Sequence, residues 1–217
     1  MSRNSAISLL AFVTLFIFGC ADTTSHSYGV YMLLDTSGTY RDELNQAKAI
    51  INYLLGSLQP GDALVVSRID SGSFSEKDII CKMTFDGRPS VANQQKRLFR
   101  ETIDEFIEDV EGSPYTDITG GLVQAVEFLN ETGAGNRHIL IFSDLKEDLV
   151  AGHVRDFPLQ MDGCQVVALN VTKLRSDNID PREYYQRVEH WEKRVVAGGG
   201  GWRVINDLDN LDELLVQ

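Results

Sequence analysis

Long apolar runs are scarce in this chain of 217 residues. The longest, from Ala6 to Phe18, falls short of the ~18–20 residues that cross a bilayer as a helix. Cysteine is also sparse, with three in all, which excludes a small disulfide-stapled scaffold. The histidines His26, His138, His153 and His190 are scattered without zinc spacing. There is no glycine-rich phosphate loop with its lysine, no Ser/His/Asp set, no internal repeat and no long low-complexity stretch. Basic residues are the minority, 20 Lys and Arg against 32 Asp and Glu. So acidic a surface repels phosphate backbones, and nucleic acid is not expected among the partners.

What is present begins with a processing segment. Arg3 is the only charge in residues 1–19, and the apolar stretch after it has the length of a secretory h-region. It ends in Ile17-Phe-Gly-Cys20-Ala, which resembles a bacterial lipobox, although Ile17 and Phe18 depart from its preferred residues. The expectation is a lipoprotein-type signal peptide over 1–19 and a lipid-modified Cys20. A polar tether over 20–27 and one domain over 28–217 would follow, placing the protein in the cell envelope, membrane-anchored and facing the periplasm or the exterior. Losing Arg3 takes the formal charge from −12 to −13.

Strand and helix patterns then alternate. Tyr28 to Asp35 is a nearly continuous apolar run, as in a strand buried on both faces. Asp42 to Leu58 carries a helical stripe, and Ala63 to Ile69 is a second buried strand. Asp78 to Phe85 alternates less cleanly and reads as an edge strand reached by a hairpin-like loop. Helical spacing returns over 89–110 and after Thr116, where Leu122, Ala125, Val126 and Leu129 share a face. His138 to Ser143 and Gln165 to Val171 are further strands, with a short helix expected at 148–157. Asp180-Pro-Arg-Glu183 opens a helix with the buried stripe Tyr184, Val188, Trp191 and Val195. Trp202 to Ile205 and a terminal helix close the chain. This order predicts an α/β, three-layer, Rossmann-like doubly wound fold, its sheet mostly parallel with one antiparallel edge strand. In that sheet Cys81 and Cys164 lie about four strands apart, beyond the ~7 Å reach of a disulfide, so both are expected as buried free thiols.

At the end of the first strand stands Asp35-Thr-Ser37-Gly-Thr39. A carboxylate and two hydroxyls at alternate positions offer only oxygen, which suits a hard cation such as Mg²⁺. The string resembles the Asp-x-Ser-x-Ser motif of von Willebrand factor A domains, with Thr39 for the last Ser. Thr116-Asp-Ile-x-x-Gly-Leu122 is similar to that family's second motif, and Ser143-Asp144 at a strand end to its third. There the family usually has Asp-Gly, whereas this chain has Asp144-Leu145, a bulkier and less flexible neighbour.

The resemblance implies a metal-ion-dependent adhesion site. Ser37 and Thr39 would bind Mg²⁺ or Mn²⁺ directly, Thr116 directly or through water, and Asp35 and Asp144 partly through bridging waters. A partner protein's Asp or Glu would complete the ion's shell. The implied protein is a non-enzymatic binding module, with the same fold carrying a degenerate, metal-free site as the alternative. A metal-dependent hydrolase fits less well. Haloacid-dehalogenase-type phosphatases need a second Asp where Ser37 stands. Aspartic proteases carry Asp-Thr-Gly, out of register here by one, and are all-β. Asp117, Glu147 and Asp148 are expected as solvated rim charges, and Trp191, Trp202, Tyr184 and Tyr185 as packing residues.

Overall fold

The computed structural model describes residues 26–37, 43–70, 72, 76–172, 174, 177, 179–207 and 211–215. The segment 1–19, Cys20 and Thr39 lie outside the described residues. Six strands, β1 (Tyr28–Asp35), β2 (Ala63–Ile69), β3 (Ile79–Thr84), β4 (Asn136–Phe142), β5 (Gln165–Leu169) and β6 (Gly201–Ile205), form one sheet in the order β3-β2-β1-β4-β5-β6. All neighbours pair in parallel except β2 and β3. The chain leaves β1 toward β2 and later returns to lay β4 on the other side of β1. The crevice where strand order reverses therefore lies between the carboxyl ends of β1 and β4.

Alternation along β1 divides the core. Val30, Met32 and Leu34 face helices α1 (Leu44–Ser57) and α2 (Pro89–Asp109). Tyr31 and Leu33 face α3 (Ile118–Thr132) and α4 (Arg182–Ala197). Because side chains point alternately to the two faces, a strand covered on both must be apolar at every position, and Val30 to Leu34 are all wholly buried. Gly121 lets α3 come close to β1, since a Cβ there would stand 2.9 Å from Leu33 Cδ2.

Two expectations are corrected. Residues 148–157 contain no helix; the whole connection from Ser143 to Cys164 lacks regular secondary structure. A single bridge, Thr116 with Asp148, and a set of side-chain anchors hold it instead. Among the described residues, the terminal helix is only a 3₁₀ turn, Leu211–Glu213, that presents Leu211 and Leu214 to the core. At Leu145, where the resembled motif has glycine, the backbone is left-handed without one. Its φ is +64°, its side chain is 1% exposed and its N–H donates to Ser143 Oγ at 3.0 Å. Left-handed backbone costs a residue with a Cβ roughly 1–2 kcal/mol, and burying the leucine offsets that.

Cys81 on β3 and Cys164 just before β5 are both free thiols, as expected. Cys164 is buried, Cys81 half-buried. Four strand spacings of ~4.8 Å separate their strands, about 19 Å. Two outcomes follow. With Cys20 replaced by serine, the denatured, unreduced protein will titrate both Cys81 and Cys164. In the native protein Cys164, whose thiol burial pushes up to about 11, will react only as fast as the fold opens. An absence of free thiol would overturn the strand order. Leu145→Gly relieves the backbone but empties a core position, where deleting a leucine side chain costs ~2–5 kcal/mol. Urea unfolding should show a net loss of about 2 kcal/mol, as a lower midpoint at unchanged slope.

Candidate metal centre

The register of β1 against β4 pairs Leu34 with Phe142, so Asp35 and Ser143 leave the sheet side by side. Asp35 is wholly buried. Its Oδ1 accepts the Ser37 N–H at 2.8 Å and its Oδ2 the Ser143 hydroxyl at 2.7 Å. Asp144, 3% exposed, repeats the turn on the neighbouring strand, its Oδ1 accepting the Lys146 N–H at 2.8 Å. Two consecutive Asx-type turns thus aim the residues after β1 and after β4 toward the same crevice. Burial, together with the nearby Asp35 carboxylate, pushes the Asp144 carboxyl above its ordinary value. The Lys146 N–H and the charges of Arg187 and Lys146 pull against that.

The third segment precedes α3. Ser113 bridges Ser37 in parallel, its N–H donating to the Thr36 carbonyl at 2.9 Å. Thr116 and Asp148 exchange two main-chain hydrogen bonds, at 2.8 and 3.0 Å. These ties bring Ser37, Thr116 and Asp144 to the walls of one cleft of about 370 Å³, with Ser113, Pro114, Lys146, Asp148 and Leu174 completing the lining. Asp35 lies beneath, reached through Ser37 and Ser143. Four of the five residues singled out for a cation therefore gather at one rim of the sheet; Thr39, the fifth, is among the residues not described.

Neither Asp35 nor Thr116 serves as a helix cap. The residue before α1 is Glu43, without a side-chain cap bond. Asp117 caps α3, accepting the Gly120 N–H at 2.8 Å.

Two of the expected rim charges are corrected. Asp117 is 1% exposed and forked by Arg155, with Nη2 to Oδ2 at 2.6 Å. Glu147 is half-buried and accepts the Thr119 N–H at 2.7 Å. A carboxylate suits a helix N-terminus, where free N–H groups and the helix dipole both favour it, so α3 receives two from different segments. Asp148 is exposed, as expected, and lines the cleft. Trp191 is core, 1% exposed, while Tyr185 is 65% exposed and packs edge-on against Tyr184.

Ser113, Lys146 and Arg187 belong to the site and were not singled out from sequence. Ser113 carries a local signal, standing three residues before Thr116 ahead of a proline. Lys146 and Arg187 carry none in any motif. Among the described residues no three His, Cys, Asp or Glu side chains form a metal-holding cluster. The lining offers the hydroxyls of Ser37, Ser113 and Thr116 and the carboxylates of Asp144 and Asp148, beside the Lys146 ammonium, and such oxygens are the ligands that hard cations take.

No protein-family model matches the chain, and no curated protein sequence does. Solved structures do. A von Willebrand factor type A protein from Catenulispora acidiphila superposes at a TM-score of 0.52 with 15% identity, over 87% of this chain and 41% of that one. The pilus adhesin SpaC from Lactobacillus rhamnosus GG, in its open conformation, superposes at 0.53 with 11% identity, over 87% and 29%. The chain spans less than half the length of either, and at such identities the likeness is one of fold. With its sheet order, its single antiparallel edge and the placement of its helices, this chain has the von Willebrand factor type A fold.

Proposed function

We propose that the domain is a non-catalytic, extracytoplasmic protein-binding module whose cleft holds a divalent cation, Mg²⁺ or Mn²⁺, completed by a carboxylate from a partner protein. The observation that carries this reading is the meeting of Ser37, Thr116 and Asp144 in one cleft above buried Asp35, from three segments distant in the chain. Ser37 and Thr116 would offer hydroxyls. Thr39 is assigned by its place in the motif. Asp35 and Asp144 would supply the negative charge, partly through water. Mg²⁺ takes about six oxygens and readily keeps its waters. With few direct carboxylates the ion stays electrophilic, and a carboxylate offered by another protein is the natural ligand for an open position. Cys20, in this reading, carries the lipid that holds the domain at the envelope membrane; among the described residues no helix is long and apolar enough to cross one.

A second reading, the same fold with a metal-free site, is favoured by one observation. Lys146 lines the same cleft, and its charge already favours the ionised form of Asp144. The two part company in a titration. The wild-type protein should bind Mn²⁺, seen by loss of the free-ion electron paramagnetic resonance signal, and Mg²⁺ should compete. Asp35→Asn and Thr116→Val, each close to isosteric, should weaken binding at least tenfold, about 1.4 kcal/mol. Partner capture from an envelope extract should fail in EDTA and recover with Mg²⁺. Mn²⁺ bound equally by all three proteins, or by none, removes the cation from the reading.

A further inference from the structure

The segment from Asp144 to Arg155 forms one wall of the cleft, yet it has no secondary structure of its own. Main-chain carbonyls removed from water need partners; Asp148 finds its partner in Thr116, and for Asp144, Leu145 and Arg155 a single helix supplies them. On α4, Arg187, Trp191 and Arg194 stand at i, i+4 and i+7, one face of a helix. Arg187 Nε donates to the Asp144 carbonyl at 3.2 Å, and Trp191 Nε1 to the Leu145 carbonyl at 3.0 Å. Arg194 Nη2 donates to the Arg155 carbonyl at 3.1 Å, and its Nη1 to Thr119 Oγ1 at 2.8 Å.

The donors are themselves held in place. Arg187 forks the carboxylate of buried Asp177 with two bonds of 2.8 Å. Arg194 lies over the Trp191 ring, 5.0 Å from its centroid. The first two donors reach consecutive peptide groups on either side of Leu145, whose left-handed backbone persists only where its surroundings over-determine it.

We infer that α4 positions the cation site: Arg187 and Trp191 fix the angle at which Asp144 meets Ser37 and Thr116, without reaching the ion themselves. The inference rests on the cation reading of the cleft. Groups that orient ligands from behind typically contribute about 10–100-fold to metal affinity, and a wall with no helix or strand of its own depends on them the more.

Removing Arg187 alone would strand the Asp177 charge, so the test uses a neutral pair, Arg187→Met with Asp177→Asn, and separately Trp191→Phe, which keeps an aromatic ring and deletes the donor. Glu189→Gln, on the solvent side of α4, is the control. Mn²⁺ affinity, read by electron paramagnetic resonance, should fall about tenfold in both test variants and stay at the wild-type value in the control. Amide exchange in the folded variants should quicken at Leu145 and Lys146, whose N–H groups bond Ser143 Oγ and Asp144 Oδ1, and be unchanged in β1 and β4. Wild-type affinity together with wild-type exchange at those two amides, in a folded variant, overturns the positioning role. Exchange quickened throughout the sheet would mark α4 as a general support for the fold and overturns it as well. A wild-type protein that binds no Mn²⁺ overturns the cation reading instead, while exchange at Leu145 and Lys146 still decides whether α4 holds the wall.

Discussion

Two carboxylates shut away from water stand at the ends of adjacent parallel strands, and the rim of this sheet is arranged around what their burial demands. Removing a carboxylate from solvent costs several kcal/mol unless hydrogen bonds and opposite charge replace the lost water. Asp35 answers with one bond to each oxygen, from the Ser37 amide and the Ser143 hydroxyl. Asp144 answers with the Lys146 amide and the fields of Arg187 and Lys146, and its carboxyl still sits above its ordinary value. Of the two, Asp144 is the one that the protein's own groups leave under-compensated. The proposed divalent ion, held in the cleft that Asp144 lines, would supply the missing charge.

The same demand explains an unusual connection. Loops of this length without secondary structure are uncommon in compact domains, and between β4 and β5 one replaces the expected helix. It is tied down by Arg155 on Asp117, by Glu147 on the α3 N-terminus, by the Thr116–Asp148 bridge and by the donors of α4. The Thr116–Asp148 bridge joins the loop to the cleft wall itself, and the other ties run to the α3 N-terminus and to α4 behind it. Breaking it into a helix would withdraw Glu147 and Asp148 from α3 and the Thr116 segment, so the irregular path and the site geometry come as one arrangement.

The fold was readable in the sequence because its determinants are local and periodic. An apolar run with no polar face can only be an interior strand, and the stripe Leu122, Ala125, Val126, Leu129 can only be a one-sided helix. Parallel pairing followed from alternation of helix and strand, and the antiparallel edge from the ragged pattern around Lys82 and Thr84. Residues 148–157 misled because Val150, Val154 and Phe157 imitate helical spacing, whereas Val154 and Phe157 stand largely exposed. Asp35, Ser37, Thr116 and Asp144 were legible through strand-end motifs. Lys146 and Arg187 were not. Arg187 looks like any exposed charge beside a buried stripe, and its meaning lies in Asp177 and the Asp144 carbonyl, contacts that no spacing encodes. Asp117 and Glu147 were misjudged for the same reason, since their partners Arg155 and Thr119 are distant in sequence.

The contacts around the cleft close on themselves, and that closure limits what can enter. Asp35 holds Ser37, Ser37 bridges Ser113, Thr116 bridges Asp148, and Ser143 returns to Asp35. Segments so joined share their supports, and the cleft they line is about 370 Å³. That is near the lower end of the ~300–1,000 Å³ of small-molecule pockets. Among the described residues Pro114 and Leu174 are its only strongly apolar lining residues, too few to hold a hydrophobic ligand. A polar occupant of a few atoms is what such a space accepts, an ion with its waters and the tip of one incoming side chain. On the cation reading, affinity for a partner would then come from the surface around the rim, while the cleft itself would hold the ion and the carboxylate that completes its shell.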